Sequence, residues 1–158
     1  MDNRTLLANR NVIAWLLLFA ALALHVLDEA VTGFLPFYNH SVLVVRERLG
    51  FFPAPIFSFG IWLGGLIIGI LLGFGATPLV QRGGNVIRRV AVLLSALMIA
   101  NALGHLVGSL YFHRILPGAY SSPILLLTAL VLLFYGIRGN WQRAQTPHAV
   151  SNSTAATD

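Results

Sequence analysis

Four long apolar stretches dominate this chain and restrict what it can fold into. Each has about 19 to 25 residues, and an α-helix needs ~20 to cross the hydrocarbon core of a bilayer. Only helices and closed barrels satisfy their backbone polar groups in lipid, and no stretch shows the period of two that marks a barrel strand. The sequence therefore predicts an all-α, polytopic membrane protein with four transmembrane helices, at about residues 12–33, 56–80, 90–112 and 123–141.

The parts of the chain outside the spans are short. We expect residues 1–141 to form a single transmembrane domain and the polar tail, residues 142–158, to be disordered on the cytoplasmic side. In the first loop, a segment from Ser41 to Phe52 predicts a short interfacial helix on the outer membrane surface, with Ser41 as its cap. This segment would either form a lid over a site below it or be a packed loop without such a role.

The composition limits the partners. Charged residues make up 9% of the chain, against about 25% in soluble domains. There is no cysteine, which excludes disulfide and thiol chemistry. The basic residues are all arginines at the ends of apolar runs. Because no basic stripe alternates with exposed aromatics, this pattern indicates a lipid bilayer as partner and no nucleic acid.

The arginines also predict an orientation. With four spans, seven arginines lie on the side of both termini and three on the other, which predicts cytoplasmic termini in a plasma membrane of bacterial type. The N-terminus also imitates a signal peptide, because Ala21-Leu22-Ala23 has the A-x-A form of a cleavage site. The apolar character that resumes after Glu29 favours a spanning helix instead.

Three ionisable residues interrupt the first apolar stretch: His25, Asp28 and Glu29. Charged groups within a span normally face a protein interior or a cavity and mark functional sites. The third stretch carries Asn101 and His105, four residues apart and hence on one helix face. Counting 1.5 Å per residue from the outer helix ends places both clusters in the outer half of the bilayer at matching heights. We therefore expect one site between the first and third spans, opening outward.

Two imidazoles and one or two carboxylates suit a divalent metal, either zinc or iron. His25, Glu29 and His105 are the predicted metal ligands, with Asp28 as a fourth ligand or as the base that activates water. Glu29 also counts as a catalytic candidate, since a buried carboxylate beside histidine could pass protons without any metal. Asn101 would orient a ligand or a substrate carbonyl. The plain alternative is that these polar residues only fix helix packing through hydrogen bonds.

The outer loop between the third and fourth spans supplies the substrate-binding candidates. Arg114 could hold an anionic headgroup or phosphate at the mouth of the site, with Tyr120 nearby. The alternative for Arg114 is an interfacial arginine whose head reaches water.

The second span is rich in glycine at spacings of four, namely Gly60–Gly64, Gly65–Gly69 and Gly69–Gly73. Small residues at this spacing let helix backbones approach closely. Packing inside the monomer, with the third span as partner, is the favoured interpretation, and a homodimer through this face is the alternative.

The stretch His25-x-x-Asp28-Glu29, together with Asn101-x-x-x-His105 and the later Pro117-Gly118, resembles the HXXEE family of small multi-pass membrane proteins. The resemblance covers roughly residues 24–127. Asp28 departs from it, because the family has Glu at that position, and the shorter side chain puts the role of Asp28 in question. The resemblance implies a polar site within the membrane and leaves the reaction open.

Taken together, these patterns predict a metal-dependent or acid/base membrane enzyme that acts on a lipid-like or small amphipathic substrate. A proton- or ion-coupled transporter or relay is the first alternative. A structural or interaction subunit that uses the glycine face of the second span is the other.

Overall fold

Helices are the only regular secondary structure in the described part of the chain, as the sequence predicts. The computed structural model describes residues 3–138 and Trp141, so the predicted tail, residues 142–158, lies outside the described residues. Within the described part, the helices are α1 (Asn3–Thr32), α2 (Phe34–Leu49), α3 (Phe59–Gly75), α4 (Thr77–Arg82), α5 (Asn85–Tyr111) and α6 (Ser122–Arg138).

Three helical stretches are long and apolar enough to cross a membrane. They are Asn9–Thr32 with 24 residues, Phe59–Arg82 with 24 and Asn85–Tyr111 with 27. The second of these combines α3 and α4, which adjoin at Ala76. α6 has 17 residues, about 26 Å at the rise of an α-helix, and is therefore shorter than the hydrocarbon core of about 30 Å. The structure confirms three of the predicted spans by length and composition, and the fourth is a shorter apolar helix.

The first loop contains a longer helix than the sequence predicts. α2 has 16 residues and starts directly after Gly33, whose left-handed backbone (φ +82°) separates it from α1. The prediction that Ser41 caps this helix is wrong: Ser41 lies in its middle, and its hydroxyl donates to the carbonyl of Phe37 at 2.8 Å. Asn39 fastens α2 to the segment before α3, since its amide both donates to the Phe57 carbonyl (2.9 Å) and accepts from the Phe57 amide (3.1 Å).

The core of the bundle lies where α6 packs against both α1 and α5. Leu125, Ala129 and Leu132 of α6 are fully buried there. They recur at spacings of three and four, so they form one face of the helix. α3 and α4 pack on α1 as well. α1 is therefore the central helix of the bundle, in contact with the most neighbours, and it is also the helix that carries His25 and Glu29.

The contact between α1 and α3 depends on Gly73. The Trp15 indole nitrogen donates to the Gly73 carbonyl at 2.8 Å, and a Cβ at Gly73 would lie within 2.3 Å of three atoms of the Phe19 ring. No larger residue fits here without displacing an aromatic ring of the core.

The glycine face of α3 is otherwise open. A Cβ at Gly60, Gly64, Gly65 or Gly69 would meet nothing within 4 Å. The favoured prediction, that these glycines pack inside the monomer against the third span, is therefore not what the structure has.

The two ends of the bundle have different connections. At one end, which we call the α4 end, Arg88 near the start of α5 donates to the carbonyl of Gly136 at the finish of α6 (2.8 Å), and the Gly84 amide donates to the Trp141 carbonyl (2.6 Å). At the opposite end, the α2 end, α1 turns into α2, and the loop of residues 112–121 joins α5 to α6.

Candidate metal site

Two neighbouring helices bring three potential metal ligands together near the α2 end. α1 supplies His25 and Glu29, and α5 supplies His105. The exposed fractions of these residues are 1%, 5% and 6%. His25 and Glu29 are four residues apart, so the helical period places them on the same face of α1. All three side chains are thus buried, and the expected opening of the site toward the outside stays a prediction.

The ligand atoms converge on one carboxylate oxygen. Glu29 Oε1 lies 3.1 Å from His105 Nε2 and 3.5 Å from His25 Nε2. One ligand atom from each of the three residues lies within 4.8 Å of the others. Two ligands at ~2.05 Å from a tetrahedral metal are separated by about 3.3 Å. Two of the observed separations are close to this value.

The matching heights predicted for the two polar clusters are confirmed. The centroids of the His25 and His105 rings are 4.9 Å apart, and the Asn101 amide nitrogen lies 3.0 Å from His25 Nε2. The prediction depended only on the helical rise and on α1 and α5 running in the same direction.

Both ring nitrogens of His25 have partners. Asn101 donates its amide N–H to Nε2, so Nε2 carries a lone pair. The proton is then on Nδ1, which lies 2.9 Å from the Ser121 hydroxyl oxygen and donates to it. These two contacts fix the orientation of the ring, with its Nε2 3.5 Å from Glu29 Oε1.

Asp28 has a different place from the one expected for a fourth ligand or a base. Its Oδ2 accepts hydrogen bonds from the Ser121 amide (2.9 Å) and the Ser121 hydroxyl (2.7 Å). The cluster of ligand atoms comprises His25, Glu29 and His105, without Asp28. The carboxylate therefore stands behind Ser121 and acts on His25 through that hydroxyl.

The loop between α5 and α6 covers the site. Gly118 adopts a left-handed backbone (φ +84°), and a Cβ there would lie 2.8 Å from His105 Cε1 and 3.0 Å from Glu29 Cγ. From α2, the Phe34 ring lies 5.2 Å from the His105 ring, centroid to centroid. The ligands are enclosed by a loop backbone on one side and by an aromatic ring on another.

The substrate-binding candidates lie in the same loop. The Arg114 guanidinium sits over the rings of Phe37 (5.8 Å) and Phe112 (5.9 Å). Tyr120 is 67% exposed and directly precedes Ser121. Both residues are therefore on the surface of the α2 end.

The roles of Ser121 and Gly118 in this site could not be predicted from the sequence. In the sequence, Ser121 lies at the start of the last apolar stretch, and Pro117-Gly118 is a turn dipeptide that also belongs to the HXXEE resemblance. The signal was weak because a serine in a polar loop and a glycine beside a proline are ordinary turn residues. Only the path of the loop, more than 90 residues from His25 in sequence, reveals their contacts.

No family model matches this chain, and no curated protein and no solved structure resembles it significantly. The resemblance to the HXXEE family thus stays a prediction from the motifs.

Proposed function

We propose that this protein binds one divalent metal ion through His25, Glu29 and His105, and that it is a metal-dependent membrane enzyme. The observation that carries the proposal is the convergence of two imidazole Nε2 atoms on one buried carboxylate oxygen, at 3.1 and 3.5 Å. Two histidines and one carboxylate are the protein ligands of several zinc hydrolases and of non-haem iron oxygenases. The donor set fits zinc and iron and leaves coordination positions open.

The electrostatics of His25 support a cation here. When Nε2 of His25 carries no proton, as its contact with the Asn101 amide nitrogen implies, it and the carboxylate Oε1 of Glu29 are two electron-rich atoms 3.5 Å apart. Two electron-rich atoms repel one another in a buried site unless a positive charge lies between them. A metal ion would supply this charge, and Nε2 of His25 would then bind the metal instead of accepting the Asn101 N–H. The alternative source is a second proton on His25, with the Asn101 amide turned to accept it.

The residues around the ligands fit a metal site as well. Metal-binding histidines usually donate their other ring N–H to a carboxylate, a carbonyl or water, which fixes the ring and its tautomer. The Asp28–Ser121 pair does this for His25 Nδ1 through the serine hydroxyl. A bound metal would polarise a substrate carbonyl or activate a water molecule. Glu29 would bind the metal, and Asn101 would orient His25 or a substrate group.

The substrate class follows from the surroundings. The site lies in two helices that are long and apolar enough to cross a membrane, so a lipid-like or small amphipathic molecule reaches it most readily. Arg114 and Tyr120, on the surface of the α2 end, would contact a polar headgroup. Within this proposal α6 is a fourth span, α2 lies at the outer interface, and both termini are cytoplasmic, because five of the described arginines lie at the α4 end.

The test is metal analysis of the protein purified in detergent under metal-replete conditions. We expect about one equivalent of zinc or iron in the natural chain, and loss of this metal in His105→Ala and Glu29→Gln. His40→Ala is the matched control, because His40 is an exposed histidine on α2 and should leave the metal content unchanged. Absence of stoichiometric metal in the natural chain, or its retention in His105→Ala, contradicts the proposal.

A proton or ion relay is the second candidate. It is favoured by the hydrogen-bonded chain from the half-buried Asp28 through Ser121 to His25. In liposomes the relay predicts a proton flux that falls in Glu29→Gln. Flux without bound metal would favour the relay. Bound metal without flux would favour the enzyme, and an effect on stability alone would favour a structural role.

A further inference from the structure

A groove lies at the α4 end, about ten residues along α1 from the proposed metal site. It is a groove of about 710 Å³ lined by Trp15 of α1, Leu79 and Arg82 of α4, and Ile87 and Val90 of α5. Small-molecule sites in proteins have volumes of about 300–1,000 Å³. The groove is therefore large enough for a specific ligand.

The walls of this groove are apolar. Except for Arg82, its lining consists of glycine, aliphatic residues and Trp15. The only polar atom of the Trp15 side chain, its indole nitrogen, already donates to the Gly73 carbonyl. The ring is 2% exposed, so only a small carbon edge of it reaches the groove. Walls of this kind give water few hydrogen-bond partners and favour a hydrocarbon chain.

The charges around the groove select the headgroup of such a ligand. Five exposed arginines lie at this end of the bundle: Arg10, Arg82, Arg88, Arg89 and Arg138. The three acidic residues within the described ranges, Asp28, Glu29 and Glu47, belong to the α2 end. The described part of the α4 end thus has a strongly positive surface, which attracts anionic lipid headgroups.

We infer that the groove binds an acyl chain of an anionic phospholipid, with the lipid phosphate beside Arg82. The apolar walls would hold the chain, and Arg82 at the rim would bind the phosphate. This site is separate from the metal site, and the inference does not depend on the proposed enzyme activity.

Tryptophan quenching tests this directly, because Trp15 is part of the groove wall. In the variant with Trp62→Phe and Trp141→Phe, Trp15 is the remaining tryptophan. This variant is placed in phosphatidylcholine vesicles that contain equal fractions of either phosphatidylglycerol or phosphatidylcholine with brominated acyl chains. We expect brominated phosphatidylglycerol to quench Trp15 more strongly.

Two further variants separate the charge from the cavity. Arg82→Gln should weaken the preference for phosphatidylglycerol about fivefold, the contribution of one arginine at an anionic surface. Val90→Phe should reduce quenching by filling the groove while all charges stay. Arg46→Gln is the control, because Arg46 lies on α2 at the opposite end, and should change nothing.

Equal quenching by the two brominated lipids overturns the inference, as does an unchanged preference in Arg82→Gln. Quenching by neither lipid means that something other than lipid occupies the groove and also overturns it. Because Trp141 is buried and its replacement could disturb the fold, native mass spectrometry provides a second measurement on the natural chain. It should show retained phosphatidylglycerol, and no retained phosphatidylcholine, when both are added in detergent.

Discussion

His25 is the residue on which the site depends. One ring nitrogen donates to Ser121 and the other accepts from Asn101, within 3.0 Å in both contacts. The ring is therefore held from two helices and a loop. Asn101 and Ser121 therefore position the His25 ring, and the metal affinity proposed for this site should depend on them.

The contribution of Ser121 can be measured. Ser121→Ala removes the hydroxyl shared by His25 Nδ1 and Asp28 Oδ2, so the ring loses its fixed tautomer. Substitutions of such outer partners typically weaken metal affinity by about 10- to 100-fold, and we expect this loss in a titration against a competing chelator. Histidine tautomers followed by nitrogen NMR should also become mixed.

Ser122→Ala is the matched control for that experiment. The Ser122 hydroxyl is also buried and donates to the Gly118 carbonyl at 2.8 Å, so its hydrogen bond goes to the loop rather than to His25. An equal loss of metal affinity in Ser121→Ala and Ser122→Ala would show that the loop, rather than the orientation of His25, is what matters.

At the level of elements, the loop of residues 112–121 forms the roof of the site. It is tied to α1 by Ser121 on Asp28 and by the Gly118 amide, which donates to the Thr32 hydroxyl at 3.3 Å. Leu116 and Ala119 are buried as well. A connection that packs inward in this way fixes the ligands more firmly than a solvated loop would.

Gly118→Ala tests this roof. The substitution carries the cost of a left-handed backbone, about 1–2 kcal/mol, and places a methyl group against His105 and Glu29, which adds about 1–3 kcal/mol of overpacking. We expect a lower free energy of unfolding in detergent, measured with denaturant, together with weaker metal binding.

Gly50→Ala isolates the backbone cost in the same assay. Gly50 also has a positive φ (+71°), but a Cβ there would meet nothing within 4 Å. The free energy of unfolding of Gly50→Ala should fall only by the cost of the left-handed backbone, about 1–2 kcal/mol. Its metal affinity should stay unchanged. If the two alanine variants behave alike, Gly118 does not press on the ligands.

For the molecule as a whole, α3 has a large apolar face that no other part of the described chain covers. In the apolar 18-residue segment within Phe59–Arg82, only 11% is buried, whereas 50% of the corresponding segment within Asn9–Thr32 is buried. Lipid can cover such a helix, but four open glycines at helical spacing also allow a second helix to approach closely. The homodimer predicted from this face stays a prediction.

Gly64→Leu should disrupt such a dimer, because the added side chain would keep the two α3 helices apart. Energy transfer between labelled chains in liposomes measures association, and we expect it to fall to the level of random encounters. Gly104→Leu is the control, since Gly104 on α5 is equally open. If the natural chain itself shows no energy transfer above that level, the predicted dimer does not form.

The sequence by itself determined the long apolar helices and the matching heights of the two polar clusters along them. Apolar runs of this length have no other way to satisfy their backbone in lipid, and the fixed rise and period of a helix carry His25 and Glu29 to the height of His105. Both rules are local, so they needed no knowledge of the tertiary structure. They also explain why His25, Glu29 and His105 could be grouped into one site from spacing alone.

Only the tertiary structure decided what surrounds the ligands. Asp28 and Glu29 are adjacent in sequence, yet one faces His105 and the other faces Ser121. The spacing allowed both carboxylates near the site and could not assign them, because the choice depends on where the loop after α5 lies. No periodicity governs the path of that loop. The path follows from packing between segments far apart in the chain. Because of this path, Gly118 packs against His105 and Glu29, and Ser121 hydrogen-bonds to His25.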